Sequence, residues 1–214
     1  MSFKGKLVVL KRIRSGDDDL IAKVYSPAGV VSVLVREGYL GSNPFLGVFE
    51  PFNLVEADLD QKGDILVPND IISVRRYSLL ARDYNRYVWM SWVSLFVLTR
   101  ISFYDERVFP LIVRYLTANP GRRIPVYRVL FRIGIMEALG WRPRFLSQNI
   151  GKGKVKVRIS DGSVSEDGEV EVRAVVLRFI KNLAELGSGR ISARGNVLKE
   201  AEDLLDRYID YHTR

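Results

Sequence analysis

The chain has no cysteine among its 214 residues, which excludes disulfides and any zinc or iron–sulfur centre held by thiolates. Histidine is almost as scarce. His212 stands alone near the end of the sequence, so a Ser-His-Asp triad or a histidine-rich metal centre has almost nothing to be built from. Long hydrophobic runs are missing too. The most apolar window, "YVWMSWVSLFVLT" (87–99), is closed off by Arg86 and Arg100; it is too short to span a bilayer and predicts a buried helix. The opening "MSFKGKLVVLKRIR" has none of the apolar stretch of a secretory leader, and a cytoplasmic location is expected.

Catalytic signatures are also lacking. "GDDD" (16–19) gathers carboxylates on one turn, without the later acids and glycine of a calcium loop. "GKGK" (151–154) lacks the spacing and the Ser/Thr of a phosphate-binding loop and opens a strand rather than a helix. No two acids at helical spacing suit glycosidase or two-metal chemistry. The reading is a binding protein, not an enzyme, with no metal and no cofactor.

What is present is positive charge, unevenly placed. The net charge is +8 and the pI about 9.7. Residues 1–77 balance ten Lys/Arg against ten Asp/Glu, whereas 107–158 hold twelve basic residues and one acid, Glu137. A solvated surface normally mixes both signs, so a one-signed window points to an anionic partner. The window ends in "GKGKVKVRISDG" (151–162), where Lys152, Lys154, Lys156 and Arg158 alternate with Val155, Val157 and Ile159. On a strand that pattern separates a cationic face from an apolar one.

The hydrophobic period changes once along the chain. Segments 3–14, 20–26, 29–36, 48–59 and 72–77 are β-rich and are separated by turn signals, "SGDDD", "PAG", "DQKGD" and "VPND". Five strands in about seventy residues predict a small barrel, an OB-fold first and an SH3-like barrel as its rival. Beyond Tyr77, helices are expected over 79–104, 106–119, 125–139, 171–186 and 196–212, with Pro125 in a first turn, Gly140 as a stop and "GSGR" (187–190) as a stop and linker. The expected fold class is α+β: an N-terminal five-stranded OB-fold barrel over 1–77, then a mostly helical domain over 78–214 with a small hairpin insertion at 146–170.

"GDDDLIAKVYSPAGVVSVLVREG" (16–38) and "LGVFEPFNLVEADL" (46–59) resemble the barrel of the RecO family of DNA repair and recombination proteins. "FRIGIMEALGWRP" (131–143) and "LLDRYIDYH" (204–212) resemble that family's Leu-Gly-aromatic helix and its C-terminal ending. The resemblance implies an OB-fold and a helical domain that bind single- and double-stranded DNA and anneal complementary strands. It further implies that, with RecR, the protein helps load RecA onto DNA coated by single-stranded-DNA-binding protein (SSB), and a nucleoid-associated location. Many members hold the insertion with a four-cysteine zinc site; here it must be held by hydrogen bonds and apolar contacts. The loop "YLGSNPF" (39–45), basic in many members, is uncharged here.

The expected DNA surface combines Lys6, Lys11, Arg12, Arg14, Lys23 and Arg36 of the barrel, with Tyr25 and Tyr39 as stacking candidates. To these it adds Arg122, Arg123, Arg142, Arg144, Lys152, Lys154, Lys156 and Arg158. Arg128 and Arg132 share a helix face beside Phe131, a guanidinium next to an apolar patch, which suits the acidic, apolar C-terminal tail of SSB. The alternatives are a general single-stranded nucleic-acid-binding protein without recombination partners, a nuclease using Asp17–Asp19, and a scaffold for an acidic protein.

Overall fold

A computed structural model of the chain describes residues 2–187, 191 and 193–213. Most of the linker expected at 187–190 therefore lies outside the described residues. Two compact units are present, Met1–Gly121 and Arg122–Arg214.

In the first unit five strands close a barrel: β1 (Ser2–Ser15), β2 (Asp19–Ser26), β3 (Gly29–Val35), β4 (Leu54–Lys62) and β5 (Ile65–Arg75). The order is β1-β2-β3-β5-β4, with β4 returning to β1. β3 and β5 pair in parallel through Val33 and Leu66, while the other pairings are antiparallel. This is the OB-fold expected from the sequence. Leu7, Val9, Ala22, Val24, Val33, Val55, Ala57 and Leu59 fill its interior, and Val48 and Phe49 cover one end. No helix lies between β3 and β4. Successive turns run from Glu37 to Phe45 instead, each closing an N–H to a carbonyl three residues back.

Two strand boundaries differ from the sequence reading. The fourth strand starts at Leu54 rather than residue 48, and the fifth runs from Ile65, so "VPND" lies inside a strand. Proline there suggests a turn because it gives no N–H to a ladder. Pro68 is tolerated because the β4–β5 register shifts beside it, between Asp58 and Leu59.

Helix α1 (Tyr84–Arg100) begins after a 3-10 turn over Tyr77–Arg82, where the Asp83 carboxylate accepts the Arg86 N–H at 2.9 Å. Trp89, Met90, Val93 and Val97 are fully buried, and Trp89 Nε1 donates to the Tyr115 carbonyl at 2.7 Å, tying α1 to α2 (Val108–Thr117). Gly29, at φ +83°, could carry no side chain: a Cβ would stand 2.5 Å from the Ser102 carbonyl oxygen.

The second unit packs α3 (Ile124–Ala138), α4 (Ala174–Leu186) and α5 (Gly195–His212) around Phe131, Ile135, Met136, Leu177, Ile180, Leu205 and Ile209. Between α3 and α4 lies the hairpin of β6 (Lys154–Val157) and β7 (Val170–Arg173).

Candidate nucleic-acid interface

The barrel's cations are sorted by one irregularity in β1. Inward residues alternate through Leu7 and Val9, and simple alternation would continue through Lys11 and Ile13. The register with β2 instead shifts between Val9 and Lys11, so Leu10 is extra. A bulge of one residue exchanges the faces of everything beyond it. Arg12 and Arg14 thus stand beside the core residues Ala22 and Leu20, with Tyr39 and Phe49 close to Arg12, while Lys11 pairs with Lys23 on the outer face.

Tyr39 lies within reach of both arginines. The Arg12 guanidinium is 5.7 Å from its ring centre and that of Arg14 is 5.5 Å away, within cation–π range. Arg14 also donates to the Asp17 carbonyl, and Arg12 is ion-paired with Glu50. Arg36 is exposed. The result is a cluster of two guanidiniums around one aromatic ring, a surface suited to bases and phosphates. Lys6 is exposed beside Glu56 of β4, and Lys23 Nζ donates to Ser32 Oγ at 2.6 Å. Tyr25 serves the fold rather than the surface. Its ring is fully buried against Tyr104 and Phe109, and its hydroxyl accepts the Asp105 N–H at 3.1 Å. Burial pushes its phenol pKa up. The "GDDD" carboxylates are also in local use: Asp19 Oδ1 accepts the Glu37 N–H at 2.8 Å. Among the described residues no group of three or more acids or histidines is placed to hold a metal.

In the second unit the one-signed sequence window is not a one-signed surface. Acids from outside the window arrive to meet its cations. Asp161 lies 3.4 Å from Arg144, Glu171 2.6 Å from Lys154 and Asp167 3.8 Å from Arg158; the window's own Glu137 lies 3.6 Å from Arg142. The Lys154 ammonium holds the Glu171 carboxyl below its usual range, and Glu171 raises Lys154 in return. Lys152, Lys156 and Arg122 are exposed, while Arg123 Nη2 donates to the Ile191 carbonyl at 2.8 Å. The ladder does have the expected two faces, with Lys154 and Lys156 exposed and Val157 fully buried.

The hairpin is held by polar groups. Gln148 Oε1 accepts the Val164 N–H at 2.7 Å, Glu169 Oε2 accepts the Ile159 N–H at 2.9 Å, and Asp161 Oδ1 accepts from both the N–H and the hydroxyl of Ser163. These donors draw the carboxyls of Asp161 and Glu169 below their ordinary range. Gly162, at φ +67°, lies so close to Pro143 that a Cβ would come within 2.4 Å of the proline's.

On α3, Phe131 is fully buried and the Arg132 side chain is 4% exposed. Arg132 is engaged by Asp206 and by Glu202, the latter at 3.2 Å. Burial raises the Glu202 carboxyl even though Arg132 lies beside it. Neither Phe131 nor Arg132 offers surface to a ligand; Arg128, half-buried one turn earlier, gives its carbonyl to Arg132.

One feature of the first unit has no counterpart in the sequence reading. A cleft of about 480 Å³ runs along α1, with Lys11, Phe52, Tyr87 and Ser94 in its walls. The sequence signal is faint: Tyr87, Ser91, Leu95 and Leu98 form a helical stripe of exposed or half-exposed residues inside the most apolar run.

No protein-family model matches the chain. It is 37% identical over 210 residues to a protein of Aquifex aeolicus (strain VF5) described as an uncharacterized protein, covering 98% of both chains, and it belongs to the same family as that protein. It is 23% identical over 226 residues to the DNA repair protein RecO of Anaeromyxobacter sp. (strain K) and to that of Anaeromyxobacter dehalogenans (strain 2CP-1), matching 96% of this chain and 89% of each relative. Among the described residues no helix is long and apolar enough to cross a membrane.

Proposed function

We propose that this protein is a distant RecO-like mediator of DNA repair, binding single- and double-stranded DNA and annealing complementary strands. In this reading it works without catalysis and, with RecR, helps load RecA onto SSB-coated DNA. The observation that carries the reading is the cluster of Arg12 and Arg14 around Tyr39 on an OB-fold barrel. Similarity to RecO proteins along 96% of the chain supports it. Guanidinium and ring planes accept bases of any identity, and the cations take phosphates, so binding is indifferent to sequence and steeply dependent on salt.

Lys11, Arg12, Arg14 and Arg36 form the principal strand contact, with Lys152, Lys156 and Arg122 as a second cationic area on the other unit. The C-terminal tail of SSB is assigned to the exposed side of α3 around Arg128, with Phe131 and Arg132 holding that helix against α5. The discriminating experiment is annealing of complementary oligonucleotides coated with SSB, with and without RecR. Faster annealing that responds to RecR supports the mediator. Strand binding without annealing or RecR response would leave a general single-strand-binding protein instead.

A further inference from the structure

The cleft along α1 has four properties that a mere packing gap would not combine. Its wall is strained: Phe52 is, among the described residues, one of two non-glycine residues with positive φ, at +76°. That conformation is fixed because the Phe52 N–H donates to the Val9 carbonyl at 2.6 Å and the Val9 N–H to the Asn53 carbonyl at 2.9 Å, both at the edge of the β1 bulge. Strain of this kind persists where surrounding contacts impose it, and it gathers at binding sites. The opposite wall is aromatic and open: Tyr87 is 51% exposed and meets the Phe52 ring edge-on, with centres 6.4 Å apart.

The third property is polar. Ser94 lines the cleft, is only 3% exposed, and its hydroxyl has no hydrogen-bond partner. A buried hydroxyl left unpaired costs free energy that a ligand edge would restore. The fourth is charge: Lys11 and Arg12 stand on the rim, and Arg12 is also a member of the Tyr39 cluster. The cleft therefore adjoins the proposed strand contact through a shared residue. Its volume lies within the roughly 300–1,000 Å³ typical of small-molecule sites.

We propose that this cleft takes one unstacked base of a single strand, laid against the exposed Tyr87 ring that Phe52 supports edge-on, with the flanking phosphates on Lys11 and Arg12. The base edge, which has both donors and acceptors, pairs with the Ser94 hydroxyl. An alkyl side chain of a peptide would leave that hydroxyl unpaired. The inference rests on the DNA-binding reading above and adds to it a pocket that reads the presence of a base rather than the backbone.

The test is an anisotropy titration at fixed salt with a labelled oligothymidine and the same strand carrying abasic positions, so that phosphate number is unchanged. The wild type is expected to bind the abasic strand about ten-fold more weakly, the scale of one lost base–aromatic stack. Ser91→Leu, which fills the cleft from a half-exposed position, is expected to bind both strands alike at the weaker level. Lys11→Ala is expected to weaken both strands by the same factor. Equal binding of both strands by the wild type overturns the pocket and leaves DNA binding standing. A base preference that survives Ser91→Leu also overturns it, placing the stack elsewhere, as at Tyr39. Binding of neither strand removes this inference together with the reading beneath it. Self-association abolished by Ser91→Leu would give the cleft to a second copy of the chain. The base-versus-abasic comparison on the unaltered protein keeps the test decisive if a variant fails to fold.

Discussion

Arg132 and Asp206, 74 positions apart, meet through two parallel hydrogen bonds, Nε to Oδ1 at 2.7 Å and Nη2 to Oδ2 at 2.8 Å. Glu202, one turn before Asp206, takes a third contact. The pair clamps α3 to α5, and Glu202 lies in the field of Arg128 as well as Arg132. Arg132→Ala is expected to cost about 3 kcal/mol in chemical denaturation, the low end of what an abandoned buried charge costs, because both acids keep some exposure. Arg132→Lys should recover only part, since an ammonium cannot make the forked contact. A loss below about 1 kcal/mol would mean the clamp is not structural.

DNA binding should report the difference between charge in the sequence and charge at the surface. Each phosphate contact adds about 0.9 to the slope of log affinity against log salt on duplex DNA. Neutralising Lys152 and Lys156 should lower that slope by about 2. Neutralising Lys154 and Arg158 as well should add less than another 2, because Glu171 and Asp167 already accompany them. Equal contributions from all four would show that DNA displaces both acids.

Glu50 is ion-paired with Arg12 and, under the proposed function, would compete with phosphate for it. Glu50→Gln should therefore tighten single-strand binding several-fold at low salt, and the gain should shrink as salt rises. Weaker binding in this variant would remove Arg12 from the interface.

The hairpin should ignore chelators and respond to acid. Asp161, Glu169 and Glu171 are all held below their ordinary values of 3.8, 4.5 and 4.5 by donors in the folded chain. Their contribution is complete above those values and is lost as the pH falls through the lowered folded ones. Amide exchange in residues 154–173 should therefore rise below about pH 4, with EDTA at neutral pH leaving it unchanged. Gln148→Ala should cost about 1 kcal/mol by stranding the Val164 N–H.

His212 stacks on Trp141, with ring centres 5.4 Å apart, and burial lowers its pKa below 6.5. The unfolded chain then binds the proton more readily, so this contribution is complete above pH 6.5 and lost as the pH falls through the lower folded value. Trp141 fluorescence should titrate with a midpoint below 6.5, and His212→Phe should abolish the transition. A midpoint above 6.5 would contradict the burial of His212.

Much of the fold was legible because it rests on local regularities. Alternation in 20–26 and 29–36 placed two strands closely, Gly140 ended α3 as expected, and the Lys/Val ladder produced a strand with two faces. The fifth strand was misread because a bulge lets a proline into its ladder, a device visible only in the register. The site was less legible. Tyr25 and Tyr39 look alike in sequence, yet one closes the packing and the other sits within reach of two arginines.

The sequence by itself determined the barrel, the helical remainder, the exclusion of thiolate chemistry and the excess of positive charge, because composition and periodicity act over a few residues. Only the tertiary structure decided which charges remain at the surface. Asp161, Asp167, Glu171, Glu202 and Asp206 lie outside the basic window and are carried back to it by chain reversal. The one-residue bulge at Leu10 likewise set Arg12 and Arg14 beside Tyr39 rather than along the outer wall, since a shift of one position in a strand exchanges its two faces.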